Sequence, residues 1–330
     1  MKLALFGLLA VILFALSGCS SKQYFKPSEI DGKFASSATI PEVSKSTLSA
    51  AVLEDGRILV GDEPLDLREP EGKELLGYSD GWVIFASVDG GLDLYNLYAK
   101  STTTLDLKTT VAAASVNANL LAVLFSNNEM AIYDLSTKEL LFKEQGDSAI
   151  VVSHKIVAPY FRDNLVLFPT LDGKVVVVDA ISKKRLRSTI VSGEKLFNNV
   201  IFFELLDGKV IAATPNKILS LSQKELRLSL DLRALCADEK KIYAATKQGE
   251  IILLDSDLNE LVRKKFAFSH ILALTIKGKK IYALEKMGYV IEMPLDLSSY
   301  KIYSVDLEDD ASVYAYKDRF LVGKRAIILP

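Results

Sequence analysis

From about Leu48 to the C-terminal end, the sequence repeats one unit: an apolar strand, a tight turn and a second apolar strand. Gly, Asn and Asp are concentrated at the turns, because two-residue hairpins require a positive φ. Seven such hairpins lie 39 residues apart on average, with turns at Asp89-Gly90-Gly91, Asn127-Asn128, Asp172-Gly173, Pro215-Asn216, Gln248-Gly249, Met287-Gly288 and Gly323-Lys324. A strand-only repeat of this length predicts an all-β fold, a β-propeller of four-stranded antiparallel blades. The alternative is a pair of mixed β-sandwiches, which would not hold a fixed register over seven units.

The number of blades depends on how the hairpin from Arg57 to Leu67 is interpreted. Only fourteen residues separate Leu67 from Trp82, too few for both an outermost strand and the next innermost strand. The sequence therefore favours a seven-bladed propeller, with eight blades as the alternative. We expect the hairpin to pair with the C-terminal strands and close the ring, which removes exposed sheet edges. On this interpretation the propeller spans residues 48–330.

The N-terminal segment has the features of an export signal. Lys2 is followed by the apolar run from Leu3 to Leu16, which is shorter than the roughly 20 residues of a spanning helix. The run ends in Leu16-Ser17-Gly18-Cys19, which resembles the bacterial lipoprotein box at every position. That resemblance implies that residues 1–18 are a signal peptide and that Cys19 is acylated at its sulfur and at its new amino end. The alternative is a secreted protein with a chance cysteine at the cleavage site.

The residue after the lipid site bears on the destination of the protein. Ser20, and not Asp, follows Cys19, and in Gram-negative bacteria this pattern resembles that of lipoproteins exported to the outer membrane. Residues 19–47 are rich in Ser, Lys, Pro and Thr, which indicates a lipid anchor followed by a flexible tether. Several acyl chains would anchor the protein stably, facing the periplasm.

The composition argues against nucleic acid as a partner, and the surroundings of the second cysteine indicate a core position. Forty basic and 42 acidic residues give a net charge of −2, without the basic surplus of a nucleic-acid-binding protein. If Cys19 is acylated, Cys236 has no partner for an internal disulfide. The neighbours of Cys236 are apolar, so we expect its thiol to be buried.

A second motif follows the hairpins. Asp134-Leu135-Ser136-Thr137-Lys138-Glu139-Leu140-Leu141-Phe142 and the stretch from Asp179 to Arg187 resemble the repeat of quinoprotein-like (PQQ-type) propellers, in which an Asp and a Thr tie a bend and Gly takes the left-handed position. Lys138 and Lys183 occupy the Gly position in these copies. The segment from Asp255 to Leu261 places Asn259 there, and Asp296 begins a fainter copy. The tryptophan of the family repeat is absent from every copy.

The sequence contains no recognisable catalytic, cofactor or metal motif. Its two histidines, His154 and His270, lie outside metal-ligand spacing and away from nucleophile motifs, so structural or surface roles are expected. Quinone-dependent enzymes of this fold use a calcium site and a stacking tryptophan, and a single Trp argues against such a cofactor. The basic run from Lys183 to Arg187 indicates a solvated edge, with lipid head groups as the alternative contact. The acidic run from Asp306 to Asp310 indicates a loop without EF-hand spacing.

A lipid-anchored, non-catalytic propeller of this kind resembles the BamB family of outer-membrane assembly lipoproteins. That resemblance implies a periplasmic scaffold that docks on a BamA-like barrel-insertion protein through a Leu-x-Leu-Arg stretch. Leu230-Asp231-Leu232-Arg233 matches that stretch, which would make Leu230 and Leu232 apolar anchors and Arg233 a polar anchor. The alternatives are another envelope or motility-complex propeller and, less expected, a small-ligand binder or a quinoprotein-like enzyme.

Overall fold

A computed structural model describes residues 23–34, the backbone of 36–39, and residues 41–61, 63–307, 312–316 and 318–330. All regular elements in these ranges are β-strands. Within the same ranges, no helix has the length and apolar character needed to cross a membrane. The predicted signal peptide and the lipidation residue Cys19 lie outside the described residues.

The strands form eight sheets, and each sheet is one blade of a propeller. Two short strands come first in the chain, β1 (Gly32–Lys33) and β2 (Ser36–Thr39). Blade one contains β3 (Val43–Ser46), β4 (Ala51–Leu53), β5 (Arg57–Val60) and β6 (Glu63–Arg68). Blade two contains β7 (Glu74–Ser79), β8 (Trp82–Ala86), β9 (Gly91–Asn96) and β10 (Ser101–Asp106). Blade three contains β11 (Val111–Asn117), β12 (Leu120–Phe125), β13 (Glu129–Asp134) and β14 (Leu140–Gln145).

The remaining blades repeat the same order, from an innermost to an outermost strand. Blade four contains β15 (Tyr160–Arg162), β16 (Leu165–Pro169), β17 (Lys174–Asp179) and β18 (Lys184–Ile190). Blade five contains β19 (Phe202–Leu206), β20 (Lys209–Thr214), β21 (Lys217–Leu221) and β22 (Glu225–Ser229). Blade six contains β23 (Leu232–Ala237), β24 (Lys241–Thr246), β25 (Glu250–Asp255) and β26 (Glu260–Lys265). Blade seven contains β27 (Ile271–Lys277), β28 (Lys280–Glu285), β29 (Tyr289–Pro294) and β30 (Lys301–Ser304), and blade eight contains β31 (Val313–Tyr316), β32 (Arg319–Val322) and β33 (Arg325–Ile328).

Blade eight is completed by a strand from the other end of the chain. Strand β2 pairs antiparallel with β33, with Ser36 opposite Ile327 and Ser37 opposite Ala326. The sheet order is therefore β2-β33-β32-β31, and the N-terminal segment supplies the outermost strand. Strand β1 also joins the ring, because it pairs in parallel with β30 and adds a fifth strand to blade seven.

The prediction of an all-β propeller of four-stranded antiparallel blades is confirmed, but the preferred count of seven blades is wrong. The hairpin from Arg57 to Leu67 contains the third and fourth strands of a complete first blade, and it does not pair with the C-terminal strands. The hairpin between the second and third strands of blade one joins β4 to β5 through Asp55 and Gly56, and Gly56 has a φ of +81°. This hairpin is equivalent to the seven hairpins located in the sequence. It was missed because β4 is only three residues long, so its apolar run is short.

The tether assigned to residues 19–47 is also wrong in part, since that range contains β1, β2 and β3. The chain already packs against the ring at Phe25, which is buried between blades six and seven. Its ring makes edge contacts with Tyr289 and Phe266, at centroid distances of 5.6 and 6.3 Å. Scattered polar residues hid these contacts, because strands this short leave no periodic signal in the sequence.

Each blade buries both of its faces against its neighbours. On β24, Ile242 and Ala244 pack towards blade five, whereas Tyr243 and Ala245 pack towards blade seven. This alternation follows from the two-residue period of a strand, and it explains why the middle strands are apolar at nearly every position. One apolar cluster lies between each pair of neighbouring blades, including blades eight and one.

Carboxylates organise several of the bends between the third and fourth strands. Asp134 Oδ1 accepts hydrogen bonds from the Ser136 hydroxyl and from the backbone amides of Ser136 and Thr137, and the Ser136 hydroxyl followed by the Thr137 amide lowers the pKa of the carboxyl. Lys138 and Lys183 have the positive φ expected of them, 59° and 57°. In the third copy the left-handed residue is Leu258, with a φ of 64°, and the assignment of Asn259 to that position is wrong by one residue.

The packing of blade eight can be tested with two neighbouring residues of β33. Ile327 is fully buried between blades seven and eight, whereas the side chain of Ile328 is 42% exposed. We expect Ile327→Ala to lower the free energy of unfolding by about 2–4 kcal/mol, because it leaves a cavity between blades seven and eight. Ile328→Ala should change it by less than about 0.5 kcal/mol. Urea denaturation checks both values, and equal effects would contradict this packing.

Candidate interaction face and central cavity

The topology sorts the loops of the ring onto two opposite faces. Because successive strands of a blade run antiparallel, the hairpin between its second and third strands lies on the same face as the linker to the next blade. We call this face the linker face. The other face carries the turns between first and second strands and the bends between third and fourth strands. Binding residues of rigid β-scaffolds are concentrated in such loops.

Two linkers are longer than the others, and both adjoin blade four. They span residues 146–159 and 191–201, which are 14 and 11 residues. Asn199 joins them: its Oδ1 accepts from the Ser153 amide at 2.6 Å, and its Nδ2 donates to the Lys155 carbonyl at 2.7 Å. Since Asn199 is fully buried, these bonds hold the two linkers in a fixed relation where water does not compete.

Two more buried asparagines tie the linkers to the neighbouring hairpins. Asn128, in the blade-three hairpin, donates to the Asp147 carbonyl and accepts from the Leu171 amide. Asn198 donates to the Asp172 carbonyl in the blade-four hairpin at 2.8 Å. Gly173 is required beside it, since its φ is +81° and a Cβ there would approach Asn198 to less than 3.0 Å.

The two fixed linkers present an apolar surface to solvent. Ile150, Val151, Leu196 and Phe197, which we call the linker patch, are all exposed, and the Ile150 side chain is 73% exposed. The Phe197 amide donates to the Val151 carbonyl at 2.8 Å and joins the two halves. Phe197 has a φ of +51°, a left-handed conformation that costs a non-glycine residue roughly 1–2 kcal/mol. The surrounding hydrogen bonds maintain a strained loop that exposes an aromatic ring.

The linker patch could not be predicted from the sequence, because isolated apolar residues in loops have no period. One signal was present. Asn127 to Asp172 and Asp172 to Pro215 are 45 and 43 residues apart, longer than the mean hairpin interval. The excess corresponds to the two long linkers on either side of blade four.

The predicted anchor stretch has a different role in the structure. Leu232 is only 3% exposed and, with Leu230 packed beside it, belongs to the apolar cluster between blades five and six. The Leu232 side chain already fills this blade interface, whereas Leu230 remains partly exposed, so a role of Leu230 in contacting a partner stays a prediction. Arg233 is separate from them and lies in the wall of the central cavity.

The central cavity has a volume of about 680 Å³ and is lined by the inner edges of all eight blades. Several innermost strands carry a β-bulge, in which one extra residue leaves the ladder. In four of these bulges the extra residue lines the cavity, and these residues are Leu76, Ala112, Arg233 and Leu272. Bulges re-aim side chains in this way. At four equivalent positions, three residues are apolar and the fourth is an arginine.

Arg233 is the centre of a basic cluster drawn from three parts of the chain. Its Nη1 lies 2.8 Å from His270 Nε2, and its carbonyl accepts from Lys155 Nζ at 3.1 Å. Arginine is always protonated, so Nη1 is the donor and His270 Nε2 carries no proton in this geometry. Burial lowers the pKa of Lys155 and of Arg233, and burial followed by the charge of Lys155 lowers the pKa of His154.

The remaining residues singled out from the sequence lie away from this cluster. Cys236 is partly buried in the cluster between blades six and seven, and burial raises the pKa of its thiol. Arg185 and Arg187 lie on the outermost strand of blade four, where they pair with Glu144 at 2.5 Å and Glu225 at 2.6 Å on neighbouring blades. These contacts agree with a solvated edge.

The acidic run begins in a described region and continues beyond it. Asp306 pairs with Lys33 at 2.9 Å and with Arg325 at 3.2 Å, between β1 and β33. Asp309 and Asp310 lie outside the described residues. Among the side chains that are described, no group of three or more His, Cys, Asp or Glu residues is arranged to hold a metal ion.

Comparison with solved structures defines the class of the fold as a β-propeller. BamB from Moraxella catarrhalis is similar, with a TM-score of 0.67 and 10% identity over 89% of this chain and 98% of that chain. The C-terminal WD40 domain of Sif2 gives a TM-score of 0.66 at 12% identity, over 91% of this chain and 99% of that domain. The computationally designed protein Ika8 gives 0.63 at 15% identity, over 91% of this chain and 98% of that chain. At these identities the likeness concerns the fold alone.

Sequence comparison finds a nearer relative. The plasminogen-binding protein PgbB from one strain of Helicobacter pylori is 30% identical over 90% of this chain and 64% of the relative. PgbB from a second strain is 30% identical over 78% of this chain and 56% of the relative. The chain therefore spans less than two thirds of the length of these curated relatives. No family model matches the sequence.

The role of Asn199 can be tested by removing its side chain. Asn199→Ala leaves the Ser153 amide and the Lys155 carbonyl without their partner, at a cost of about 1–3 kcal/mol for each buried group. We expect faster hydrogen exchange throughout residues 147–158. Asn164→Ala is the matched control, since Asn164 is exposed in a turn of blade four on the opposite face. Unchanged exchange in Asn199→Ala would show that the linkers are held by other contacts.

Proposed function

We propose that this protein is a non-catalytic scaffold of the bacterial cell envelope, anchored to the outer membrane by a lipid on Cys19 and facing the periplasm. Its role is in outer-membrane β-barrel protein assembly, as the resemblance to the BamB family implies, with a BamA-like barrel-insertion protein as the partner. The similarity of fold to Moraxella BamB supports this proposal. So does the lipoprotein box at Leu16–Cys19.

The observation that carries the proposal is the linker patch. Four apolar side chains are exposed together on two pinned loops, and Phe197 is held there in a strained conformation. An exposed apolar surface of this kind is costly in a monomer and is typical of a protein interface. Because the patch is formed before a partner arrives, binding does not require the loops to be ordered.

The path of the N-terminal segment supports a defined orientation at the membrane. Phe25 is held between blades six and seven, and Cys19 precedes it by six residues. An extended chain of that length reaches at most about 20 Å. An acylated Cys19 would therefore keep the rim at blades six and seven close to the lipid head groups. The linker patch, beside blades four and five, is two blades away along the ring and open to the periplasm.

The charged side chains that line the cavity are basic. Among the described lining residues, neither a carboxylate nor a tryptophan is present. Arg233, Lys155 and His154 are the basic groups of the lining. These groups can bind or orient an anion.

Plasminogen binding is a second candidate function. The observation that favours it is the 30% identity to plasminogen-binding protein PgbB, which extends over 90% of this chain. Direct binding separates the two functions. Purified protein and plasminogen, compared by surface plasmon resonance with and without free lysine as competitor, provide that measurement.

The lipid anchor can be tested at one residue. Cys19→Ala removes the thiol that a lipoprotein transferase requires, so we expect unprocessed precursor or release of the protein from the membrane fraction. Cell fractionation with immunoblotting measures both outcomes. Cys236→Ala is the control, because it removes the other cysteine of the chain, which lies outside the lipoprotein box. Normal processing and membrane retention of Cys19→Ala would contradict the anchor.

The role of the linker patch in partner binding can be tested with two isoleucines of nearly equal exposure. Ile150 lies in the linker patch and is 73% exposed, and Ile181 lies on the opposite face in the bend after β17 and is 71% exposed. We expect Ile150→Asp to weaken partner binding by at least about 2 kcal/mol, roughly thirty-fold. Ile181→Asp should have little effect. Both variants should melt within a few degrees of the parent, because neither side chain is buried.

Capture of the partner from envelope extracts measures binding by the parent and by these two variants. The parent and Ile181→Asp should retain a BamA-like protein, identified by mass spectrometry, and Ile150→Asp should lose it. If the parent captures no barrel-insertion protein but binds plasminogen, the second candidate function replaces the first. If both variants retain the partner equally, the linker patch is not the interface.

A further inference from the structure

The charged side chains that line the central cavity are all positive. Lys155 and Arg233 line it, and no carboxylate of the described residues does. Neither side chain forms an ion pair with a described acidic residue, and desolvation alone accounts for their lowered pKa values. Elsewhere in the ring, arginines are neutralised, as in the pairs of Arg185 with Glu144 and Arg187 with Glu225.

Uncompensated cations inside a protein call for a counter-charge. Removing a charged group from water is unfavourable unless an opposite charge or several hydrogen bonds replace the lost solvation. The Nε of Arg233 is buried and has no hydrogen-bond partner. A concave site lined by one sign of charge and by low-dielectric walls concentrates ions of the opposite sign. The cavity is thus electrostatically complementary to an anion.

The position of Arg233 is also set by the backbone. Its β-bulge directs the side chain towards the cavity, and His270 Nε2 accepts from Nη1, which fixes the plane of the guanidinium. Guanidinium groups held in this way suit carboxylate and phosphate, because their donors match two oxygens at once. Lys155 reaches the same point from the long linker and bonds the carbonyl of Arg233.

The rest of the lining is largely apolar and aromatic. Tyr160 and Phe203 line the cavity with their ring centroids 5.4 Å apart, and Leu272 contributes an aliphatic surface from blade seven. A ligand that fits these walls combines an anionic group with an apolar or aromatic body. The volume of about 680 Å³ lies within the range of small-molecule sites, roughly 300–1,000 Å³.

We infer that the central cavity binds a small organic anion, with a carboxylate or phosphate group at Arg233 and Lys155 and an apolar body against Tyr160 and Phe203. This site is distinct from the linker patch and does not depend on the envelope function proposed above. The linker of residues 146–159 contributes to both, since Ile150 belongs to the patch and Lys155 to the cavity.

Isothermal titration calorimetry on the folded protein tests this inference. The probes are benzoate and phenyl phosphate, which distinguish the two anionic groups, and benzyl alcohol, which has the same body without the charge. We expect saturable binding of at least one anion and none of the alcohol. Raising NaCl from about 20 to about 300 mM should weaken binding, because the attraction is electrostatic. No saturable binding of either anion up to about 10 mM would overturn the inference.

Variants with matched charge changes locate the site. Arg233→Met and Lys155→Met should each weaken binding about tenfold or more, because each removes a charged hydrogen-bond donor. Arg185→Met and Lys184→Met, on the outermost strand of blade four, remove the same charges and should leave affinity unchanged. Ile150→Asp should also bind normally, which separates this site from the linker patch. Circular dichroism melting identifies any variant that fails to fold. If Arg233→Met does not fold, the affinity of Lys155→Met tests the site by itself. Equal affinity in parent, Arg233→Met and Lys155→Met would place anion binding elsewhere.

Discussion

Blade eight contains three strands from the C-terminal end of the chain, and its outermost strand is Ser36–Thr39 from the N-terminal segment. This pairing joins the two ends of the propeller. Every blade is apolar on both faces, so an open ring would leave two large apolar surfaces in water. In the closed ring, eight apolar clusters fill eight interfaces without a break. The extended N-terminal segment is therefore part of the fold, as the burial of Phe25 also shows.

Closure also determines where binding groups can lie. The innermost strands of all eight blades meet around one cavity, and their bulges direct single residues into it. The linkers between blades share one face, where two long ones are held by Asn199. The segment from Ile150 to Lys155 extends from the exposed patch to the cavity wall. A partner bound at the patch and an anion bound in the cavity would therefore contact the same short segment.

The sequence predicted features that repeat, and it failed where single contacts decide. Seven hairpins were located from their Gly, Asn and Asp turns, but the first was missed because Ala51–Leu53 is too short to show a pattern. Leu232 matched a binding motif, yet alternation along β23 turns it into the interface between blades five and six. The basic cluster could not be predicted, because Lys155, Arg233 and His270 are far apart in sequence. The arrangement of the blades around one cavity brings them together.

The central claim is that a rigid, closed propeller presents the linker patch to a protein partner. Hydrogen exchange of the free protein and of the complex captured from envelope extracts tests it most directly. We predict slower exchange on binding at residues 148–152 and 195–198, with no change at residues 180–183 on the opposite face. Protection confined to the opposite face, or to the outermost strands, would contradict the claim.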